Sequence, residues 1–233
     1  MLSKIRSLIS LVRLGGLAVA ALAMWGFATI AEEVLEKETH ALDAFILLYL
    51  RSFHTPQLDR VMLAFTSLGE PNLLLALSVS AGIILWVRKH RSEATAIAVA
   101  GAGAIGLNIL LKQLFARGRP QLWQRTVEVK FYSFPSGHAM ISLVIYGWLG
   151  YLLASRFPKQ RWWIYGWTII LVAVIGLSRL YLGVHWPTDV IAGYTAGLVW
   201  LLACTSSLEV WKQFRASSAA SQEKFLSPKN PQE

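Results

Sequence analysis

The sequence predicts an all-α integral membrane protein with six transmembrane helices in a bundle. Of its 233 residues 55 % are apolar and 15 % are charged, whereas typical globular chains carry roughly 25 % charged residues. The mean hydropathy is +0.48, and a soluble domain of this size cannot hide so much apolar surface from water. Six segments approach the roughly 20 apolar residues that one span requires: 13–31, 71–87, 94–111, 139–155, 162–180 and 190–208.

The first apolar segment has a second interpretation. Lys4, Arg6 and Arg13 lie at its start, and basic residues followed by an apolar run are also typical of a cleaved signal peptide. The residues before Glu32 contain no clear cleavage site of small residues, so we expect the helix to be retained. The other five spans keep the same sidedness relative to one another in either case.

The chain between the first two spans, from Glu32 to Glu70, is too polar to cross a membrane. Apolar residues recur in it at helical spacing and predict a short helix that lies in the interface or packs on the bundle. We assign residues 1–211 to one membrane-embedded domain, with a motif-bearing core at about 60–205. The segment 212–233 is rich in Ser, Gln and Lys, and we expect it to be disordered. The apolar positions of the short helix are Leu42, Phe45, Ile46, Tyr49 and Phe53.

The net charge of +9 favours anionic partners such as phospholipid headgroups and phosphates. The sequence contains no nucleic-acid-binding module, so we exclude nucleic acid, and no protein partner is evident. Cys204 is the single cysteine, which excludes an intrachain disulfide and a cysteine metal cluster.

Lysine and arginine in short connections set the orientation of a membrane protein. With the N-terminus inside, the inner segments hold 13 of the 22 basic residues, and every inner connection is basic. We therefore place the connections after the first, third and fifth spans outside. The 13 residues are Lys4, Arg6, Arg13, Arg88, Lys89, Arg91, Arg156, Lys159, Arg161, Lys212, Arg215, Lys224 and Lys229.

Three polar clusters lie where the third span ends, where the fourth begins and between the fifth and sixth. Parity brings all three to one face of the membrane, and ionisable residues close to spans are costly unless they have a function. Each cluster alone could be structural: Lys112 and Arg119 could snorkel, for example. Together they predict one polar site on the outer face. The clusters are 112–120, 134–138 and 178–189.

The basic residues of these clusters suit a phosphate. Arg119 and Arg179 offer planar forks that match phosphate oxygens, and Lys112 adds a point charge. Ser136 and Gly137 open the fourth span, where free backbone N–H groups bind anions. The sequence thus predicts a phosphate clamp made of these five residues.

The two histidines suit the two roles of a phosphoryl transfer. Asp189 follows His185 by four residues, and Pro187 is well placed to start the sixth span. A carboxylate there would orient the imidazole, which marks His185 as the nucleophile. His138 has no such partner in the sequence and is assigned as general acid. We predict no metal and no cofactor, because the cations supply the positive charge and no carboxylate cluster is present for Mg²⁺.

The motifs K-x6-R-P (Lys112 to Pro120), P-S-G-H (135–138) and S-R-x5-H-x3-D (178–189) together resemble the type 2 phosphatidic acid phosphatase family, which is related to vanadium haloperoxidases. The resemblance covers roughly residues 60–205 and has no departure at the motif positions. It implies a six-helix membrane fold and a metal-independent lipid phosphate phosphatase that forms a phosphohistidine. It implies the same roles for His185, His138 and Asp189, and phosphate binding by Ser136 and Gly137.

We expect the substrate to be a lipid phosphomonoester such as phosphatidate, with phosphatidylglycerol phosphate and undecaprenyl diphosphate as alternatives. The small size favours a bacterial inner membrane, with the site facing outward. The segment 121–132, with Trp123, Arg125, Glu128 and Lys130, could shape the headgroup pocket or be a solvated loop. Two other classes remain: a haloperoxidase, against which the six spans argue, and a non-enzymatic lipid carrier, which would not need two histidines and an aspartate.

Overall fold

The computed structural model describes residues 2–36, 38–123 and 131–226. Over these residues the chain forms eight α-helices and one 3₁₀ turn, Pro158–Gln160, and no strand. The all-α prediction is therefore confirmed. The helices are α1 Leu2–Glu36, α2 His40–Arg51, α3 Pro56–Leu68, α4 Pro71–Val87, α5 Arg91–Phe115, α6 Gly137–Arg156, α7 Arg161–Tyr181 and α8 Pro187–Leu226.

The prediction of six spans agrees with the length and composition of these helices. In the described part of the chain, five helices are each long and apolar enough to cross a membrane. A sixth span results if α3 and α4, which meet at an angle of 44°, are counted as one bent crossing. The bend falls at Gly69 and Glu70, and α4 starts at Pro71, because proline fits the first turn of a helix but not its interior.

The short helix predicted after the first span is α2. It buries Asp43 and Leu47, whereas Phe45 and Tyr49 are more than half exposed. Its apolar stripe therefore faces away from the protein, as expected for a helix in the membrane interface. The sequence analysis predicted no helix at the position of α3.

Helix α6 lies at the centre of the bundle and packs against α5, α7 and α8. Ile145 and Trp148 on α6 are fully buried in the main apolar core. Gly193 lets α8 approach the start of α6, because a Cβ at this position would lie 2.7 Å from the Ser136 carbonyl oxygen. Close approach at small residues is common in membrane helix pairs. It holds the beginnings of α6 and α8, which carry two of the polar clusters, against each other.

The C-terminal segment differs from the prediction. We expected residues 212–233 to be disordered, but α8 continues through Leu226. The segment contains Ala, Gln, Lys and Glu, all good helix formers, and Lys212 donates a 3.2 Å hydrogen bond to Glu93 near the start of α5. Residues 227–233 lie outside the described residues.

Candidate active site

The three polar clusters meet at one end of the bundle. Helix α5 ends at Phe115, and Ala116 adopts the left-handed conformation (φ 44°) that often closes a helix. In the segment after α5, Arg119 contacts His185, which lies two residues before α8. The backbone N–H of Ser136, at the start of α6, donates to the Asp189 carbonyl oxygen at 2.9 Å.

His185 and Asp189 form a buried pair. Helix α8 begins at Pro187, so Asp189 lies in its first turn and reaches back to the histidine. His185 Nδ1 lies 3.2 Å from Asp189 Oδ2, which also accepts the Trp186 backbone N–H at 2.9 Å. When Nδ1 donates to the carboxylate, Nε2 carries the lone pair. Nε2 lies 3.3 Å from Arg119 Nη1, so the lone pair faces the cationic side of the site.

The surroundings of His185 keep its imidazole neutral. Burial, followed by the positive charges of Arg119, Lys112, Arg179 and the His138 ring, lowers the pKa of His185 well below its ordinary value. The same interactions show that these four side chains surround the histidine. A neutral imidazole is the form that can attack phosphorus.

Backbone carbonyl groups hold two of the cations. Arg119 donates to the carbonyl oxygens of Phe131 (2.7 Å) and Val184 (2.6 Å). Lys112 Nζ donates to the Tyr132 carbonyl oxygen at 2.6 Å. Carbonyl acceptors orient these side chains without neutralising them, so their charge remains available to an anion.

Two buried donors of the predicted phosphate clamp have no hydrogen-bond acceptor among the described residues. They are the Ser136 hydroxyl, at the N-cap of α6, and Nε of Arg179, whose Nη1 donates to Thr66 at 2.5 Å. Ser136 is fully buried and Arg179 is 1 % exposed. Buried polar groups are almost always paired, so each of these donors is suited to a bound anion.

Gly137 lies close to a neighbour on α5. A Cβ at this position would lie 2.9 Å from Asn108 Oδ1. The Asn108 amide donates in turn to the Pro135 carbonyl oxygen at 3.3 Å, in a turn whose Phe134–Pro135 peptide bond is cis. Asn108 therefore supports the turn that opens α6.

His138 has a carboxylate partner that the sequence analysis missed. Its Nε2 lies 3.3 Å from Oε1 of Glu70, the half-exposed residue in the break between α3 and α4. The two residues are 68 positions apart, so spacing gave no signal. The one available signal was an acidic residue at a break between two helices that reach the outer face.

The sequence analysis also missed Arg117 and Asp43. Arg117 is 7 % exposed and forms ion pairs with Asp189 at 2.7 Å and with Asp43 at 2.8 Å. The sequence analysis assigned neither residue a role in the site. The spacing of residues in α2 gave no signal that Asp43 would be buried against α8.

The structure thus brings together all eight predicted site residues. Residues 124–130 lie outside the described residues, including Arg125, Glu128 and Lys130 of the predicted headgroup segment. Trp123 lies against Gly183, two residues before His185. In the described part of the chain, no group of three or more His, Cys, Asp or Glu residues could hold a metal ion; metal independence stays a prediction. The eight residues are Lys112, Arg119, Ser136, Gly137, His138, Arg179, His185 and Asp189.

Comparison with known proteins identifies the class. Residues 93–213 match the model of the PAP2 superfamily, and the chain belongs to this family of membrane lipid phosphatases. The resemblance drawn from the three motifs is confirmed, and the chain is a hydrolase of phosphoric esters.

Particular relatives are similar over much of the chain. Phosphatidylglycerophosphatase B of Bacillus subtilis is 34 % identical over 164 residues, which are 69 % of this chain and 80 % of the relative. An undecaprenyl-diphosphatase of Sulfolobus acidocaldarius is 52 % identical over 66 residues, 28 % of this chain and 29 % of the relative. The crystal structure of a transmembrane PAP2-type phosphatidylglycerolphosphate phosphatase from Bacillus subtilis superposes with a TM-score of 0.77 at 28 % identity, covering 82 % of this chain and 96 % of that one.

Proposed function

We propose that this lipid phosphatase releases a terminal phosphate from a membrane lipid through a covalent intermediate on His185. The observation that carries the proposal is the placement of His185: Nδ1 is held by Asp189, and Nε2 points at Arg119 among the other cations. A lipid carrier would need the cations but not an oriented, neutral imidazole, and this favours an enzyme over a binding protein.

In the first step, Nε2 of His185 attacks phosphorus in line with the bond to the lipid oxygen. The new N–P bond forms as this P–O bond breaks, and His138 gives its proton to the departing oxygen. Asp189 stabilises the positive charge that develops on the His185 ring. Glu70 lies 3.3 Å from Nε2 of His138 and can accept a hydrogen bond from the ring, which orients it for this proton transfer.

In the second step, water attacks the phosphohistidine. His138, now neutral, accepts a proton from the water, the N–P bond breaks, and inorganic phosphate leaves with His185 restored. The negative charge on the phosphoryl oxygens is balanced in both steps by Lys112, Arg119 and Arg179. The Ser136 hydroxyl and the N–H groups at the start of α6 add donors, and such prearranged charge is the main source of rate in phosphoryl transfer.

For the substrate we propose a glycerophospholipid phosphomonoester and place phosphatidylglycerol phosphate before phosphatidate. The sequence analysis put phosphatidate first. The Bacillus relative, which aligns over most of its length, favours phosphatidylglycerol phosphate instead. The second candidate is undecaprenyl diphosphate, which the Sulfolobus relative suggests. We further propose that the chain lies in a bacterial inner membrane with the site facing outward, because basic residues fill the opposite connections.

The direct test is phosphate release by the purified protein in detergent with excess EDTA. The substrates would be phosphatidylglycerol phosphate, phosphatidate and undecaprenyl diphosphate, each with a His185→Ala control. Release that persists in EDTA and disappears in the variant supports the proposal and ranks the substrates. If no lipid yields phosphate, the proposed hydrolysis is wrong and lipid transport becomes the function to test.

Vanadate is expected to inhibit competitively. It is a phosphate analogue that can take up a fifth ligand, as phosphorus does in the transition state, and the clamp offers it three cations and a nucleophilic nitrogen. Initial rates at several vanadate and lipid concentrations would show a raised apparent KM with kcat unchanged. Rates that do not respond to millimolar vanadate would contradict a phosphate clamp at this place.

The pH dependence should reveal the neutral nucleophile. Because the pKa of His185 is lowered, its protonated form appears only below the ordinary value of about 6.5. The acidic limb of kcat/KM, which reports the free enzyme, is therefore expected to have its midpoint below pH 6.5. A midpoint above 6.5 would mean that the cations do not act on His185 as the geometry requires.

A further inference from the structure

We infer that Asp43 and Arg117 are positioning residues for the His185–Asp189 pair and that Asp43 supplies the negative charge which keeps this pair active. The inference rests on the proposed function. It concerns two residues to which the sequence analysis assigned no role. Arg117 stands at an unspecified position of the first motif, and Asp43 lies on α2, outside the membrane spans. They act through Asp189 and do not touch the phosphate.

Arg117 joins three separate elements of the fold. It lies in the segment after α5, and its guanidinium reaches Asp189 at the start of α8 and Asp43 on α2. Nη1 donates to Asp189 Oδ1 at 2.7 Å and to Thr188 Oγ1 at 2.7 Å. Nη2 donates to Asp43 Oδ2 at 2.8 Å. The planar fork of arginine makes both contacts with one rigid group, which lysine could not do.

The network fixes the Asp189 carboxylate at both oxygens. Oδ1 accepts from Arg117, and Oδ2 accepts from the Trp186 backbone N–H and from His185. The carboxylate therefore cannot rotate without losing a hydrogen bond on one side. An orienting carboxylate needs this second support, because it must hold one imidazole tautomer throughout the reaction.

Asp43 is held as firmly as Asp189. Its side chain is 1 % exposed, its Oδ1 accepts the Thr188 backbone N–H at 3.1 Å and its Oδ2 accepts the Thr188 hydroxyl at 2.6 Å. An aspartate this deeply buried is costly unless it is paired and hydrogen-bonded. Asp43 satisfies both conditions and thereby anchors α2 to the start of α8.

The charges explain why two carboxylates share one arginine. Arg117 and Asp189 alone would be neutral as a pair, and the imidazole would gain little when it becomes positive during phosphoryl transfer. With Asp43 the trio carries a net charge of −1. Because the trio is buried, this charge is poorly screened and acts on His185.

Other charged groups also face this pair, so only differences between variants under one set of conditions are informative. Glu70 faces His138 from the break between α3 and α4. Around His185 itself lie Lys112 of α5, Arg119 after α5, His138 of α6, Arg179 of α7 and Asp189 of α8, with Arg117 and Asp43 behind Asp189.

The test is a charge series read by the pH profile of kcat/KM. Asp43→Asn changes the net charge of Asp43, Arg117 and Asp189 from −1 to zero. It should lower the pKa of His185 and move the acidic limb to lower pH. Arg117→Gln brings this net charge to −2 and should move the limb to higher pH. The double variant restores −1 and should return the limb close to that of the wild type. A purely structural role would not give opposite shifts that cancel.

Asp43→Asn should also reduce kcat by roughly tenfold with KM changed by less than about twofold, since residues of one hydrogen-bonded network couple by energies of this order. Asp43→Glu, which keeps the charge, should recover much of the rate. The control is Asp59→Asn on α3, because Asp59 bonds to Tyr181 at 2.6 Å and has no contact with the trio; it should behave as the wild type.

Three outcomes would overturn the inference: an unchanged limb in both single variants, shifts in the same direction, or a double variant displaced from the wild type. If one single variant does not fold, as judged by thermal unfolding, the other and the double variant still decide, because each has an expected sign. The wild type and His185→Ala are measured alongside. If the wild type is inactive, the proposed function is wrong. If the wild type is active but the variants do not shift the pH profile, only the role of Asp43 and Arg117 is wrong.

Discussion

We expect His185→Ala to lower kcat by about 10⁴-fold or more, because the variant lacks the nitrogen that forms the N–P bond. Nε2 of His185 is the unprotonated nitrogen that points at the cationic side of the site. The clamp remains in the variant, so lipid phosphate should still bind with little change in affinity. The measurement is phosphate release under single-turnover conditions, together with equilibrium binding of the same lipid.

The matched control is His90→Ala. His90 lies before α5, at the other end of the bundle, and is half exposed. It should leave the rate unchanged. A His185→Ala enzyme that retains turnover within tenfold of the wild type would show that another residue is the nucleophile.

Asp189→Asn is expected to reduce kcat on the order of 10³- to 10⁴-fold, the loss seen when a carboxylate that orients a catalytic histidine becomes an amide. An amide N–H₂ beside His185 Nδ1 favours the tautomer with the proton on Nε2. That proton occupies the lone pair needed for attack. Changes in KM should be small, since Asp189 does not contact the phosphate.

The aspartate variant also loses the charge that pairs with Arg117, so its fold must be checked by thermal unfolding and by its elution from a sizing column. The result that supports the orienting role is a folded protein with low kcat. A folded protein with the wild-type rate would mean that the His185–Asp189 contact is structural only.

The sequence was sufficient where the deciding interaction is local. Pro187 predicted the start of α8, and the four-residue spacing predicted that Asp189 would reach His185. Parity of the spans predicted that three distant motifs would meet at one face. The first two follow from helix geometry. The third follows because a helix in a lipid bilayer must span the whole hydrocarbon layer.

The sequence was insufficient where the deciding interaction is long-range. Asp43 and Arg117 are 74 residues apart, and Glu70 and His138 are 68 apart. Nothing in the spacing of α2 says that its polar face turns inward onto α8 and leaves its apolar face outside. The identity of the headgroup is equally hidden, because the motif residues bind the phosphate that all candidate lipids share.

The central claim is that the phosphoryl group passes through His185. The most direct measurement is rapid quenching of the enzyme with labelled lipid phosphate in EDTA, followed by mass spectrometry of its peptides. We expect a phosphoryl group on His185 in the wild type, formed before phosphate is released and absent from His185→Ala. Phosphate release with no enzyme-bound phosphoryl group at any time, or the group on another residue, would contradict it.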